Sequence, residues 1–389
     1  MKKVFKVLVI ITAIFLSLAL GLSHLEIKST LFGVFWELLI LPAFFLQFSL
    51  SIILIFLISK GEQKIEKYSL LNFITTILLI ISLIFLWLIM LKIAHHSIYN
   101  HPLPENHRFP MEKYDLIPKK LIEKGICKKE NFFSPSIISS ENILTTHSVE
   151  YLNKLESLSL TKKESRPIGF PISNELIKRE KIIAQGTINC VKYSLSNGIS
   201  LNIAGGTHHA FKDRGEGFCM LNDQAIAANY LLINRLAKKI MIIDLDVHQG
   251  NGTASIFSTN KEVFTISFHG KKNYPFRKEK SDIDVEFDDD TDDKFYLNKL
   301  KDIIPNAIDN FKPDFIFYLS GVDVLNNDKL GRLGLSIDGC KERDKFILEL
   351  CKKNSIPVQV SMGGGYSELL KNIIEAHSNT FRLAQEIYF

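Results

Sequence analysis

The chain has 389 residues, 46% of them hydrophobic, and a formal net charge of +5. That length exceeds one ordinary domain, and the charge comes from dispersed lysines, which excludes a basic nucleic-acid-binding stripe as its organising feature. Five cysteines (Cys127, Cys190, Cys219, Cys340, Cys351) are scattered, odd in number and without C-x-x-C spacing, which excludes a disulfide framework and a cysteine zinc site.

The hydrophobic excess sits in the first hundred residues. Residues 4–22 are apolar behind Lys2, Lys3 and Lys6, and residues 38–59 and 70–91 are nearly uncharged. Each of the latter has the ~20 residues that cross a ~30 Å hydrocarbon core. The reading is an all-α membrane region over residues 1–94 with about three transmembrane helices. A domain over 95–389 follows, so the protein is expected to be multi-pass in a lipid bilayer. Lys60, Lys64 and Lys67 fall on one side of such an arrangement and Lys28, Lys92 and Arg108 on the other, which leaves the orientation open. Glu37, at a span edge, is the lone ionisable group, so the region reads as an anchor rather than a transporter.

From residue 95 to about 135 the composition turns polar and rich in His, Pro and Lys, the mark of a linker and a domain entrance. Apolar spacing predicts helices over 141–155 and 176–195. A short strand over 198–203 ends at Ala204-Gly-Gly-Thr-His-His209. Asp213-Arg-Gly-Glu-Gly-Phe-Cys219 is a glycine-rich loop, and Asn222 can cap a helix running to about residue 238. Further strands are expected over 241–246, 263–267, 315–320 and 357–361, with helices over 254–257, 293–311 and 341–354. Strands alternating with helices imply a parallel sheet covered on both faces, whose ligands sit at the carboxyl ends of the strands.

The polar clusters fall at those ends. In Met241-Ile-Ile-Asp-Leu-Asp-Val-His-Gln-Gly-Asn-Gly252, Asp244, Asp246 and His248 alternate at the end of an apolar run. A strand turns every second side chain to one face. Carboxylate and imidazole together suit a borderline divalent cation such as zinc. Asp323, just past the strand over 315–320, can complete three ligands and leave a fourth position open, the catalytic pattern. His208 and His209 offer a general base and acid at neutral pH, with Asp244 and Asn251 as candidate orienting partners. Tyr366, in Met362-Gly-Gly-Gly-Tyr-Ser367, can donate to a developing oxyanion.

Together these residues resemble the zinc-dependent histone deacetylase family, of the arginase–deacetylase fold, across residues 98–385. The Asp244–Gly252 motif and Asp328-Lys-Leu-Gly-Arg-Leu-Gly-Leu-Ser336 look most like class IV members. The stretch from Leu103 to Tyr114 looks like bacterial deacetylase-like amidohydrolases. The resemblance implies that Asp246, His248 and Asp323 hold one zinc ion, that His208 and His209 are the tandem histidines, and that Tyr366 is the oxyanion tyrosine. It also implies an acyl-lysine tunnel lined by Gly217, Phe218 and Tyr274. A potassium ion would be held by Asp244, Ser267 and the main-chain carbonyls of Asp246, His248 and Phe268. Asn251 departs from the acidic partner of many members. A neutral amide stabilises imidazolium less than a carboxylate does, so His209 is expected to have a lower pKa than in relatives with two acidic partners.

The expected activity is therefore hydrolysis of an N-acyl amide: deacetylation or fatty deacylation of acyl-lysine, with small acetylated amines such as acetylpolyamines as the alternative substrate class. A two-manganese ureohydrolase would need further bridging carboxylates, and a silent acyl-lysine-binding module should have lost a ligand or the tyrosine.

Overall fold

The structure is a computed structural model that describes residues 12, 46–56, 58–60, 70, 72–77 and 90–389. The chain divides into two compact units, Met1–Ile89 and Met90–Phe389.

In the first unit the described residues 46–56 and 72–77 are helical. Their buried sides mix Leu50 and Leu54 with polar groups: the Gln47 amide donates to Asn72 Oδ1 at 3.0 Å, and the Asn72 amide donates to Ser51 Oγ at 2.6 Å. Among the described residues no helix is long and apolar enough to cross a membrane. That overturns the expectation of a multi-pass integral membrane protein with a bilayer partner. A run of high mean hydropathy reports composition; it does not by itself make an unbroken helix of spanning length. The remainder of the three apolar stretches, including all of 4–22 except residue 12, lies outside the described residues.

The second unit is built on an eight-stranded sheet in the order β2-β1-β3-β8-β7-β4-β5-β6. Its strands are β1 (Lys92–Ala94), β2 (Phe132–Phe133), β3 (Ile199–Asn202), β4 (Ile240–Asp244), β5 (Val263–Gly270), β6 (Ile283–Phe287), β7 (Phe315–Leu319) and β8 (Val358–Ser361). Every pairing is parallel. β4 and β7, at the centre, are buried along their whole length, as strands covered on both faces must be. β6 alternates in burial, which suits an edge.

The helices start where their caps dictate. Asn222 accepts from Ala225 N at 3.1 Å and opens helix Asp223–Ile233, as the sequence predicts, although the helix stops five residues earlier than expected. Ser173 caps the long helix Asn174–Asn197, which ends at Gly198 with φ 84°. The single helix expected over 141–155 is two, Ser140–Leu144 and Val149–Glu156, because Ser148 accepts from Tyr151 N and starts the chain afresh. Register does the remaining work of placement. Asp244 pairs with Ser267 on one side and Leu319 on the other, and Leu319 pairs with Ser361. The loops after β4, β7 and β8 therefore leave the same edge side by side.

Candidate active site

The loop after β4 carries Asp246 and His248, and the loop after β7 carries Asp323; all three are buried. One ligand atom from each lies within 4.8 Å of the others, so the cluster could hold a metal ion. His248 Nδ1 is 3.1 Å from both Asp246 Oδ1 and Asp323 Oδ2. The carboxylates are aimed by main-chain donors. Gly364 N donates to Asp246 Oδ2 at 2.8 Å, His248 N to Asp246 Oδ1 at 3.0 Å and Val247 N to Asp323 Oδ1 at 3.0 Å. A Cβ on Gly364 would lie 2.0 Å from Asp323 Oδ2, so the second glycine after β8 is a condition for this packing. Burial opposes charge on His248, yet the hydrogen bonds to Asp246 and Asp323 raise its pKa to about 10. Burial and then Asp246 push Asp323 up to about 7. The cluster is short of positive charge, and protons fill the deficit.

Behind these residues Arg343, on helix Ile337–Lys353, donates to the carbonyls of Leu245 at 3.0 Å and Gly321 at 2.7 Å. One buried guanidinium thus ties together the two loops that carry the ligands.

The two glycines after β3 turn the chain with φ 77° and 74° and bring the histidines beneath the same edge. His208 Nδ1 donates to Asp244 Oδ2 at 2.6 Å, and His209 Nδ1 donates to Asn251 Oδ1 at 2.7 Å. Their rings are 4.1 Å apart, and their electrostatics diverge. Burial pulls His208 down, but Asp244 and Asp246 more than offset it and hold the pKa above the ordinary value. His209 lies well below it, through burial first and then the charges at His208 and His248. The main cause of this depression is desolvation; the hydrogen bond to Asn251 acts in the opposite direction.

Tyr366 sits with its ring 6.5 Å from that of His248. Burial, then Asp323 and Asp246, raise its pKa well above 10, so the hydroxyl keeps its proton. Gly217 and Phe218 both adopt positive φ, and a Cβ on Gly217 would lie 2.5 Å from His209 Cδ2. The Phe218 ring is 6.0 Å from Tyr366, and the Tyr274 ring stands edge-on to His209 at 5.0 Å. Gly217, Phe218 and Tyr274 line a cavity of about 710 Å³ that reaches His209, His248 and Tyr366. Asp244 and Ser267 face each other across β4 and β5, with the Ser267 hydroxyl 3.0 Å from His269 Nδ1.

Three contributors escaped the sequence reading. Asp328 Oδ2 accepts from Tyr366 N at 2.6 Å while Oδ1 accepts from Leu330 N and Gly331 N, each at 2.9 Å. An Asp two and three residues before amides it can cap is a turn signal, but its hold on Tyr366 is non-local. Lys113, wholly buried, donates to Gly363 O at 3.3 Å beneath the glycine turn, and burial lowers its pKa to about 8. Phe109 packs edge-on to Tyr366 at 5.8 Å and to Phe218 at 5.3 Å.

A parallel sheet with helices around it, an Asp-His-Asp cluster that could hold a metal ion and two oriented histidines at its carboxyl edge define an α/β protein with an enzyme-type site. The sequence profile of the histone deacetylase domain matches residues 107–381. The chain is 38% identical over 296 residues to an uncharacterized protein of Picosynechococcus sp., covering 76% of this chain and 99% of that one. It is 30% identical over 278 residues to histone deacetylase 2 of Arabidopsis thaliana, covering 69% and 72%. The crystal structure of the HDA15 HD domain matches with a TM-score of 0.66 at 20% identity, over 77% of this chain and 89% of that one, a likeness of fold. The chain belongs to the histone deacetylase family, and it is a deacetylase-type hydrolase acting on amides.

Proposed function

We propose that the protein removes a short acyl group, foremost acetyl, from the side-chain nitrogen of acyl-lysine, with Asp246, His248 and Asp323 holding one zinc ion. The single observation that carries this is the convergence of two buried carboxylates and an imidazole on one point, beside a neutral histidine and a protonated tyrosine. The donor set fits zinc: oxygen, nitrogen and oxygen, with room left for a fourth ligand. The cluster's shortage of positive charge fits a cation as well. Bound there, zinc supplies Lewis-acid polarisation of the acyl carbonyl and acidification of a water.

The remaining work belongs to the chain. His209, on the wall of the mouth cavity, takes the proton of the attacking water at Nε2 while Asn251 holds Nδ1. The same proton then goes to the leaving nitrogen. His208, further from the mouth and paired with Asp244, keeps positive charge behind the reacting centre. Tyr366 donates its hydroxyl proton in a hydrogen bond to the oxyanion. Gly217, Phe218 and Tyr274 line the passage for the lysine methylenes. Asp244, Ser267 and the carbonyls of Asp246, His248 and Phe268 form the candidate potassium site. Asn251 and the Asp328–Ser336 motif favour a place near class IV.

The preference for a short acyl group rests on the inner end of the site. The space bounded by Phe109, Tyr114, Arg179, Ile183 and Tyr366 is about 40 Å³. At ~10–15 Å³ per water-sized sphere, that holds an acetyl group and not a fatty chain. The test is amine release by the full, zinc-loaded chain from paired acetyl-lysine and myristoyl-lysine peptides, with Tyr366→Phe as control. Acetyl release that the control loses is expected. Zinc bound one-to-one with no release from either peptide would overturn the reading, and myristoyl release would overturn the acyl length.

A further inference from the structure

We infer that the mouth of the site selects acyl-lysines flanked by acidic residues and turns away polycationic acylated amines; this rests on the deacylase reading above. The cavity above His209 and Tyr366 is walled by Arg108, Arg166, Lys272, Lys329 and Arg332, against two carboxylates, Asp289 and Asp290. Asp289 is already engaged: Lys272 reaches Oδ2 at 3.3 Å and Arg332 at 3.1 Å. Glu216, the acid nearest the passage, accepts from Arg214 Nε at 2.8 Å and from the Tyr274 hydroxyl at 2.7 Å. Among the described residues, Arg108, Arg166 and Lys329 have no carboxylate within ion-pair distance, and all three are exposed.

These three cations come from separate segments: the chain before helix Lys113–Glu123, the turn Arg166–Ile168, and the loop after β7. Nothing in the local chain requires them to meet, yet they open onto one cavity. An acyl-lysine threaded into the passage leaves its backbone at this mouth, and each neighbouring residue lies only ~3.3–3.6 Å further along the chain. Flanking Asp or Glu side chains then fall among unpaired cations. A cleft lined by one sign of charge focuses its field on the ligand, so a second ammonium on a small amine meets repulsion at the same place. Phe276, 91% exposed at this mouth, points to a peptide rather than a free amine. Exposed aromatic side chains beside arginines are the composition of peptide- and protein-binding surfaces.

The test uses the full, zinc-loaded chain and three acetyl-lysine peptides of equal length, with Asp, Ser or Lys on both sides of the acetyl-lysine, together with monoacetylated spermidine. Exposed pairs are each worth roughly 1.5- to 5-fold. The expected order in kcat/KM is therefore Asp above Ser above Lys, with at least about fivefold between the ends, carried by KM. The spread should collapse in 1 M salt, where the screening length is about 3 Å. Arg166→Glu combined with Lys329→Glu should invert the ratio of the Asp to the Lys peptide. Should that variant fail to fold, the salt dependence of the unaltered chain decides. A preference for the Lys peptide or for acetylspermidine, or an order indifferent to salt, overturns the inference while leaving the deacylase reading intact. Turnover of none of the four overturns both. Competitive inhibition by a short single-stranded DNA stronger than by the Asp peptide would make the mouth a phosphate-reading surface and would also overturn it.

Discussion

The floor and the mouth of this site are built on opposite principles. At the floor each carboxylate is buried and accepts from a main-chain amide, so its position follows from the register of β4, β7 and β8. At the mouth the charges ride on exposed side chains from loops and a short turn, and three of them have no ion-pair partner among the described residues. Chemistry that depends on fractions of an ångström is placed where the backbone holds the atoms. Selection, which works through a field, is placed where side chains are solvated and free to change.

That contrast can be broken from the floor upward. Asp323→Ala should abolish both one-to-one zinc binding and turnover, measured by metal analysis and amine release, because two of three ligands cannot close the cluster. Retained metal would show that the cluster is not the metal site. Tyr366→Phe should keep the metal and lower kcat by about 10²–10³-fold, the cost of one oxyanion donor. Asp328→Ala removes the acceptor from Tyr366 N without removing a ligand of the cluster. We expect kcat to fall by up to about 10²-fold with KM nearly unchanged, since a misplaced catalytic group costs that much. An effect confined to KM would place Asp328 in substrate binding instead.

Proton linkage sharpens the comparison further. His248 holds its proton up to about pH 10 when no cation is bound, and a ligating imidazole must be neutral. Zinc uptake at pH 7.5 should therefore release about one proton from this ring, seen as a buffer-dependent heat in titration calorimetry. At His209 the sign is the reverse: its pKa is depressed, so the neutral base persists as pH falls through 6.5. Asn251→Asp puts a carboxylate beside that imidazole, raises its pKa and should move the acidic limb of kcat/KM to higher pH. The smallest effects belong to the mouth, where single charge changes should act only a few-fold and only at low salt.

Much of the floor is legible in the amino-acid order, because its signals are local. Asp244, Asp246 and His248 declare themselves by period-two spacing on an apolar strand, the tandem histidines by the glycines before them, and the sheet by alternating strands and helices. Signals of that kind fail where structure is made at a distance. β1 and β2 are two or three residues long, too short to show a period, and β6 (Ile283-Asp-Val-Glu-Phe287) does alternate but is a lone five-residue edge among charged neighbours. The apolar stretches of the first ninety residues matched a spanning length by composition, yet no described helix there has that length.

What the sequence by itself determined was the set of reactive groups and the strand ends that carry them, since periodicity and turn chemistry act over a few residues. Only the tertiary structure decided which groups meet. The strand order brings Asp323 to His248 across 75 residues, Asp328 to Tyr366 across 38 and Lys113 to Gly363 across 250. Only there, too, do Asp244 and Asp246 hold His208 above the ordinary pKa while burial holds the adjacent His209 below it. Desolvation and charge belong to the packed environment of a residue, and no stretch of chain contains its own environment.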